Sequence, residues 1–330
     1  MLSVLTVTFP FFALVLCGYL AARRGLLPLH AIPGLNGFVL FFALPCMLYR
    51  FGASTPLAQL LDASVALTYL VCALLMVALT VWVTRRGRLG WNDAAFGALV
   101  AAFPNTGIMG VPLLVALFGA QAAGPAIVTI LVDMVVTSSL CIGLSRIGWV
   151  TPGPEGGASA SSASLAARNA LKGVLTNPMP WAILLGAVAS GLQLQLPQPV
   201  SKTVGMLADA ASPVALFTIG AVLARSQMLA RDDATHHVPW QRYVPLAMMK
   251  LLLHPFLVLA VGSSAIALGV PLDRFALTVL VLVAALPSAS NVSLLAERFG
   301  ADNGRIARII LVSTAAAFVT FSAAVALAKA

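Results

Sequence analysis

Ten apolar runs, at approximately 3–22, 34–50, 64–84, 94–118, 125–149, 177–192, 202–224, 243–268, 275–296 and 305–327, fill almost the whole chain and are separated by short connectors. A helix of about 20 apolar residues spans the hydrocarbon core of a bilayer. Runs of this length and number leave the chain one consistent solvent, lipid, although the second and sixth are short. The composition agrees: of 330 residues 60% are hydrophobic and 9% charged, with mean hydropathy +1.00, whereas soluble domains carry about 25% charged residues. A large soluble enzyme, a disordered chain and a disulfide scaffold are excluded, and the connectors have no room for a sizeable extramembrane domain. The fold expected is therefore an all-α polytopic membrane protein of ten transmembrane helices. Met1-Leu2-Ser3-Val4 lacks a basic n-region and a small-residue cleavage site, so the first run reads as a retained helix.

Between the fifth and sixth runs, Thr151 to Lys172 is rich in Gly, Ser and Ala. Such a segment cannot bury a core and reads as a linker. It divides the chain into a first five-helix unit (1–150), a cytoplasmic linker (151–176) and a second five-helix unit (177–330). The net charge of +9 belongs to the same picture, because the basic residues sit in the connectors. One alternate set of loops holds fourteen Lys and Arg (Arg23, Arg24, Arg85, Arg86, Arg88, Arg146, Arg168, Lys172, Arg225, Arg231, Arg242, Arg298, Arg305, Arg308). The other set, with the termini, holds four (Arg50, Lys202, Arg274, Lys329). The excess marks the cytoplasmic side, which puts both termini outside and makes a nucleic-acid partner unnecessary.

The two units resemble one another. Phe118 to Gly124 reads F-G-A-Q-A-A-G and Phe299 to Gly304 reads F-G-A-D-N-G, each followed seven to eight residues later by Leu-Val. Upstream, Phe103-Pro104-Asn105 in the fourth run answers Leu286-Pro287-Ser288 in the ninth, with Asn291 following. A five-span unit repeated once lies in the membrane in opposite orientations, the inverted repeat common among secondary transporters, in which matched interrupted helices point to the binding site. Proline removes a backbone donor and clashes with the preceding turn. Pro104 and Pro287 are thus expected to break their helices at mid-bilayer, with Gly107, Gly110 and Pro112 loosening the fourth further. Freed backbone groups at that depth are tolerated where they line a cavity or are buried in protein. Two half-helix N-termini meeting there would favour an anion. Asn105 and Asn291 would cap the half-helices or bind the ligand, and Thr106, Ser288 and Ser290 add hydroxyls. The expected ligand is an organic anion such as a small carboxylate.

The stretch Pro104 to Leu114, P-N-T-G-I-M-G-V-P-L-L, resembles the fourth-helix signature of the auxin efflux carrier family of membrane transporters. The resemblance extends to Ala43-Leu44-Pro45, to Ser212-Pro213-Val214-Ala215-Leu216-Phe217 with Gly220, to Lys250 with Pro255, and to Leu286-Pro287 through Asn291. It implies two inverted five-helix repeats, with a scaffold of spans 1, 2, 6 and 7 and a transport unit of spans 3–5 and 8–10. The broken fourth and ninth helices would cross at the substrate site, as in the bile acid/sodium symporter superfamily. It further implies malonate, malate or auxin-like substrates, and the short linker resembles the bacterial branch, hence a bacterial inner membrane. A homodimer stays open.

Asp133, Asp209 and Lys250 fall inside apolar runs, with His254 one turn after Lys250. Charges at bilayer depth face a partner or a wet cavity. Lys250 is expected to neutralise Asp133 or backbone carbonyls at the crossing, for structure or for coupling to H+ or Na+. Asp209 has a candidate gating role, and His254 is a packing histidine or a proton relay. His236-His237 beside Asp232 and Asp233 reads as a solvated loop, and no metal or other cofactor is expected. Cys17, Cys46, Cys72 and Cys141 lie in apolar runs and read as small hydrophobes. An enzyme is disfavoured by the lack of H-E-x-x-H, G-x-S-x-G, Walker A and paired-carboxylate motifs, and a sensor or receptor by the lack of an output domain. Sodium symport and cation/proton antiport share the architecture. An antiporter would want acids at the crossing, and Pro104–Ile108 and Pro287–Val292 contain none.

Overall fold

The computed structural model describes residues 2–87, 89–147, 177–232 and 238–329. The linker, Arg88, Asp233, His236 and His237 lie outside them. Among the described residues, twelve helices of eight or more residues carry the fold. They are α1 (Leu2–Arg23), α2 (Ile32–Ser54), α3 (Ala63–Arg86), α4 (Trp91–Ala102), α5 (Thr106–Phe118), α6 (Ala120–Ser145), α7 (Pro178–Gly191), α8 (Gln198–Asp232), α9 (Val244–Ala267), α10 (Arg274–Ala284), α11 (Asn291–Arg298) and α12 (Asn303–Ala328). Among the described residues there is no β-strand. Seven helices are long and apolar enough to cross a membrane (α1, α2, α3, α6, α8, α9 and α12), and α5, α7 and α10 are shorter apolar helices.

Local chemistry sets several of these ends. Asp62, Asn177, Asp273 and Asp302 cap α3, α7, α10 and α12, their side chains accepting hydrogen bonds from the first-turn N–H groups of Ser64 and Val65, Met179, Ala276 and Arg305. Where α5 and α11 stop, Gly119 (φ +84°) and Gly300 (φ +66°) take up the left-handed conformation that a Cβ would disfavour. These are the paired Phe-Gly dipeptides of the two similar segments.

Four five-residue π turns interrupt the helical ladders, at Val39–Ala43, Thr106–Gly110, Asp133–Thr137 and Met249–Leu253. Three of them end two residues before a proline, Pro45, Pro112 and Pro255. A proline has no N–H for the carbonyl four residues back and its ring collides with it; widening the preceding turn relieves both. In the fourth, Ser138 Oγ donates to the carbonyl of Asp133 at 2.8 Å.

Two packing groups emerge. Helix α1 lies along α8, α8 along α2, and α2 along α7; α3, α4, α6, α9, α10 and α12 pack among themselves. At the α1–α8 contact, a Cβ on Gly18 would run into the Phe217 carbonyl and one on Gly220 into the Val15 carbonyl. These small residues let the two backbones touch, the usual means of joining helices in lipid. Arg305, counted above among the connector charges, is instead buried (2% exposed). Its guanidinium donates to the carbonyls of Arg242 (2.9 Å) and Asp93 (3.1 Å) and ties α12 to the starts of α9 and α4. The helix at the seventh run is also longer than the run itself. Its 35 residues rise about 50 Å, because polar ends continue the helix beyond the apolar stretch.

Candidate functional site

Helix α4 ends at Ala102 and α10 at Ala284, and their successors begin at Thr106 and Asn291. The two interruptions meet. Pro104 and Ser288 form an isolated antiparallel bridge, in which the N–H of Asn105 donates to the Pro287 carbonyl at 2.8 Å and the N–H of Ala289 to the Phe103 carbonyl at 3.0 Å. Pro104 thus occupies the non-hydrogen-bonded position of an antiparallel pair, where its missing donor costs nothing. The N–H of Ser288 turns away to Ser313 Oγ at 3.2 Å.

Half-helices α5 and α11 therefore start two and three residues from the bridge. Neither start carries a side-chain cap, so Asn105 and Asn291 do not serve as caps, one of the two roles the sequence left open for them. Asn105 is 5%, Thr106 0% and Ser288 1% exposed; Pro104 and Pro287 are buried, and Gly107, Ser290 and Asn291 half-buried. Seven buried side-chain polar atoms among the described residues lack a hydrogen-bond partner, and three are here: Thr106 Oγ1, Ser288 Oγ and Asn291 Oδ1. Buried polar groups are ordinarily satisfied, so these three free atoms at one place are an exception to normal core packing. Of the two signature glycines, Gly110 is the close contact, since a Cβ there would strike Leu286; one on Gly107 would meet only Ile130, at 3.9 Å.

The intramembrane charges take different places. Lys250 is fully buried, its Nζ donating to the Ala284 carbonyl at 2.6 Å and lying 3.1 Å from His254 Nδ1. Lys250 thus takes the second partner expected for it, a backbone carbonyl at the broken helix end. Asp133 is held otherwise: Tyr69 donates its hydroxyl to Oδ2 at 2.8 Å and Thr137 donates to Oδ1 at 3.0 Å. The ring of Tyr69 lies 6.2 Å from that of His254, which joins the two sets into one buried polar layer beside the crossing. Asp209 is elsewhere. It accepts a 2.6 Å hydrogen bond from Arg50 on the surface where α8 meets α2, the pair 71% and 42% exposed. Sequence reasoning missed Ser313 and Tyr69, which sit mid-helix with no proline or charge to mark them. The four cysteines are free: Cys17 exposed, Cys46 half-buried, Cys72 and Cys141 buried.

Comparison with known proteins sets this geometry in a family. A family profile described as "Membrane transport protein" matches residues 3–325. A "Putative malonate transporter" of Rhizobium meliloti (strain 1021) is 29% identical over 312 residues, covering 92% of this chain and 89% of that protein. The "Uncharacterized transporter YfdV" of Escherichia coli (strain K12) is 25% identical over 295 residues, 88% of this chain and 86% of its own. "Auxin efflux carrier component 8" of Arabidopsis thaliana is 23% identical over 265 residues, 67% and 72% of the two chains. With nearly its whole length matched and its relatives described as transporters and carriers, the chain belongs to the membrane transport protein family of the auxin efflux carriers.

Proposed function

We propose that this membrane transporter carries a small organic anion, a mono- or dicarboxylate, by alternating access, with the crossing of the two broken helices as its substrate site. The observation that carries the reading is the cluster of unpartnered buried polar atoms on Thr106, Ser288 and Asn291, set where two uncapped half-helices begin. The free hydroxyls of Thr106 and Ser288 can donate to a carboxylate beside two helix N-termini, without a buried cation in contact with it, while Asn291 Oδ1 accepts from a donor on the ligand. One relative's printed name carries malonate and another's auxin, which favours the same ligand class.

In this reading the chain makes ten spans in two inverted units, 1–150 and 177–330. The group α1, α2, α7 and α8 serves as scaffold and the remaining helices as the moving part. The basic connectors face the cytoplasm of a bacterial inner membrane, with both termini outside. The test is uptake by purified protein in proteoliposomes against a panel of mono- and dicarboxylates, with pH, sodium and voltage varied independently. Voltage dependence without pH or sodium dependence selects uniport of a charged species. Asn105→Ala is expected to elute as a folded protein and to lose uptake by about ten- to a hundredfold, the worth of one lost buried polar contact. Unchanged kinetics in that variant would overturn the site.

A further inference from the structure

A cavity of about 400 Å³ lies between α8, α2 and α11 and reaches the crossing, where Ile108 and Ser290 wall its inner end. Along α8 its lining runs from Ala215 to Ser226 at helical spacing. Ala215 and Arg225 are thus separated by a rise of about 15 Å on one face. The facing wall is one face of α11 with its preceding residue: Ser290, Ser293 and Glu297.

Among the described lining residues Arg225 is the one cation and Glu297 the one acid. They stand on different walls, Arg225 on α8 and Glu297 on α11, which packs against α12 and α4, and no ion pair joins them; the ion pair among the described residues is Arg50–Asp209. Arg225 is half-buried in the wall, whereas Glu297 is exposed. That difference decides which charge governs the interior. A carboxylate in open solvent is screened by water and salt, whereas a cation set in a low-dielectric wall focuses its field into the cavity. A guanidinium also keeps its charge in such a place.

We propose that Arg225 is a specificity-determining residue of this carrier. It draws anions into the cavity that leads to the crossing, and Glu297, screened by solvent, opposes it only weakly. The proposal rests on the reading of the crossing as the substrate site, and adds that the cavity favours substrates of higher negative charge.

Malonate and acetate uptake into proteoliposomes, at low and high ionic strength, tests it. Arg225→Gln is expected to raise the KM for malonate about tenfold at low salt, the lower end of electrostatic steering effects, with less effect on acetate and little on Vmax. The difference should shrink at high salt, and Arg225→Lys should restore most of it. Glu297→Gln, at an exposed position, should lower the KM for malonate. An unchanged KM in Arg225→Gln, an equal effect on malonate and acetate, or a raised KM in Glu297→Gln would overturn the proposal. If these fail while Asn105→Ala still abolishes uptake, the crossing stands and Arg225 is removed from the path; normal transport by Asn105→Ala sinks the crossing itself.

Discussion

In a continuous helix the carbonyl of Ala284 would accept from the N–H of Ser288. Here that N–H goes to Ser313 Oγ and the carbonyl is taken by Lys250 Nζ. Two side chains on α12 and α9 thereby satisfy the two groups that the break at Pro287 releases. Replacing Ser313 by Ala leaves the Ser288 N–H buried without a partner, which costs about 1–3 kcal/mol. The melting temperature in detergent should fall accordingly, with no change in fold by circular dichroism. Lys250→Met has a different balance: the Ala284 carbonyl loses its donor, but an ammonium no longer has to be desolvated. Its stability should therefore lie within about 2 kcal/mol of the parent, the two costs nearly cancelling. Uptake should nevertheless fall at least tenfold, because the end of α10 loses its anchor beside the bridge. A Lys250→Met protein that transports normally would remove this residue from the mechanism.

At the scale of elements, the closest junction is that of α1 with α8, where Gly18 and Gly220 bring backbone against backbone. A Gly220→Leu substitution has to push the helices apart, and overpacking of this kind costs about 1–3 kcal/mol or more. The expected result is a lower melting temperature, measured by unfolding of the detergent-solubilised protein, whereas Gly205→Leu on the same helix, with open space around it, should be neutral. The elements legible in the sequence are those whose causes are local. Pro104 and Pro287 announce the two breaks because a missing donor acts within one turn, and apolar runs announce helices because lipid leaves few alternatives. Three of the four π turns also stand just before a proline, but of these prolines only Pro112 is expected from sequence to loosen its helix, and Pro10 and Pro213 sit in helices without such a turn. What the sequence hid is pairing between distant residues. The bridge of Pro104 with Ser288, the Arg50–Asp209 pair and the burial of Arg305 join positions far apart in the chain, and neither periodicity nor charge count encodes them. For Lys250 residue chemistry narrowed the partners to two; packing gives it the Ala284 carbonyl as hydrogen-bond partner and keeps Asp133 within electrostatic reach.

At the scale of the whole molecule, the crossing lies between two groups of helices that each pack mainly within themselves. Walls of the cavity come from both: α8 and α2 from one, α11 from a broken helix continuous with the other. If the groups move against each other during transport, the exposure of a residue on the α11 wall must change with the ligand, while the interior of either group stays as it is. Ser293 suits the measurement, since it lines the cavity one turn from Ser290. In a protein with Cys17 and Cys46 replaced by alanine, leaving the buried Cys72 and Cys141 in place, Ser293→Cys should react with a membrane-impermeant maleimide. The reaction should occur from the side bearing Arg225 and not from the other. Saturating malonate should change the rate severalfold, by occupying the path or by shifting the population of states that expose it. Labelling from the opposite side alone would reverse the orientation given by the basic connectors, and a rate indifferent to every transported anion would leave no role for this cavity in the transport cycle.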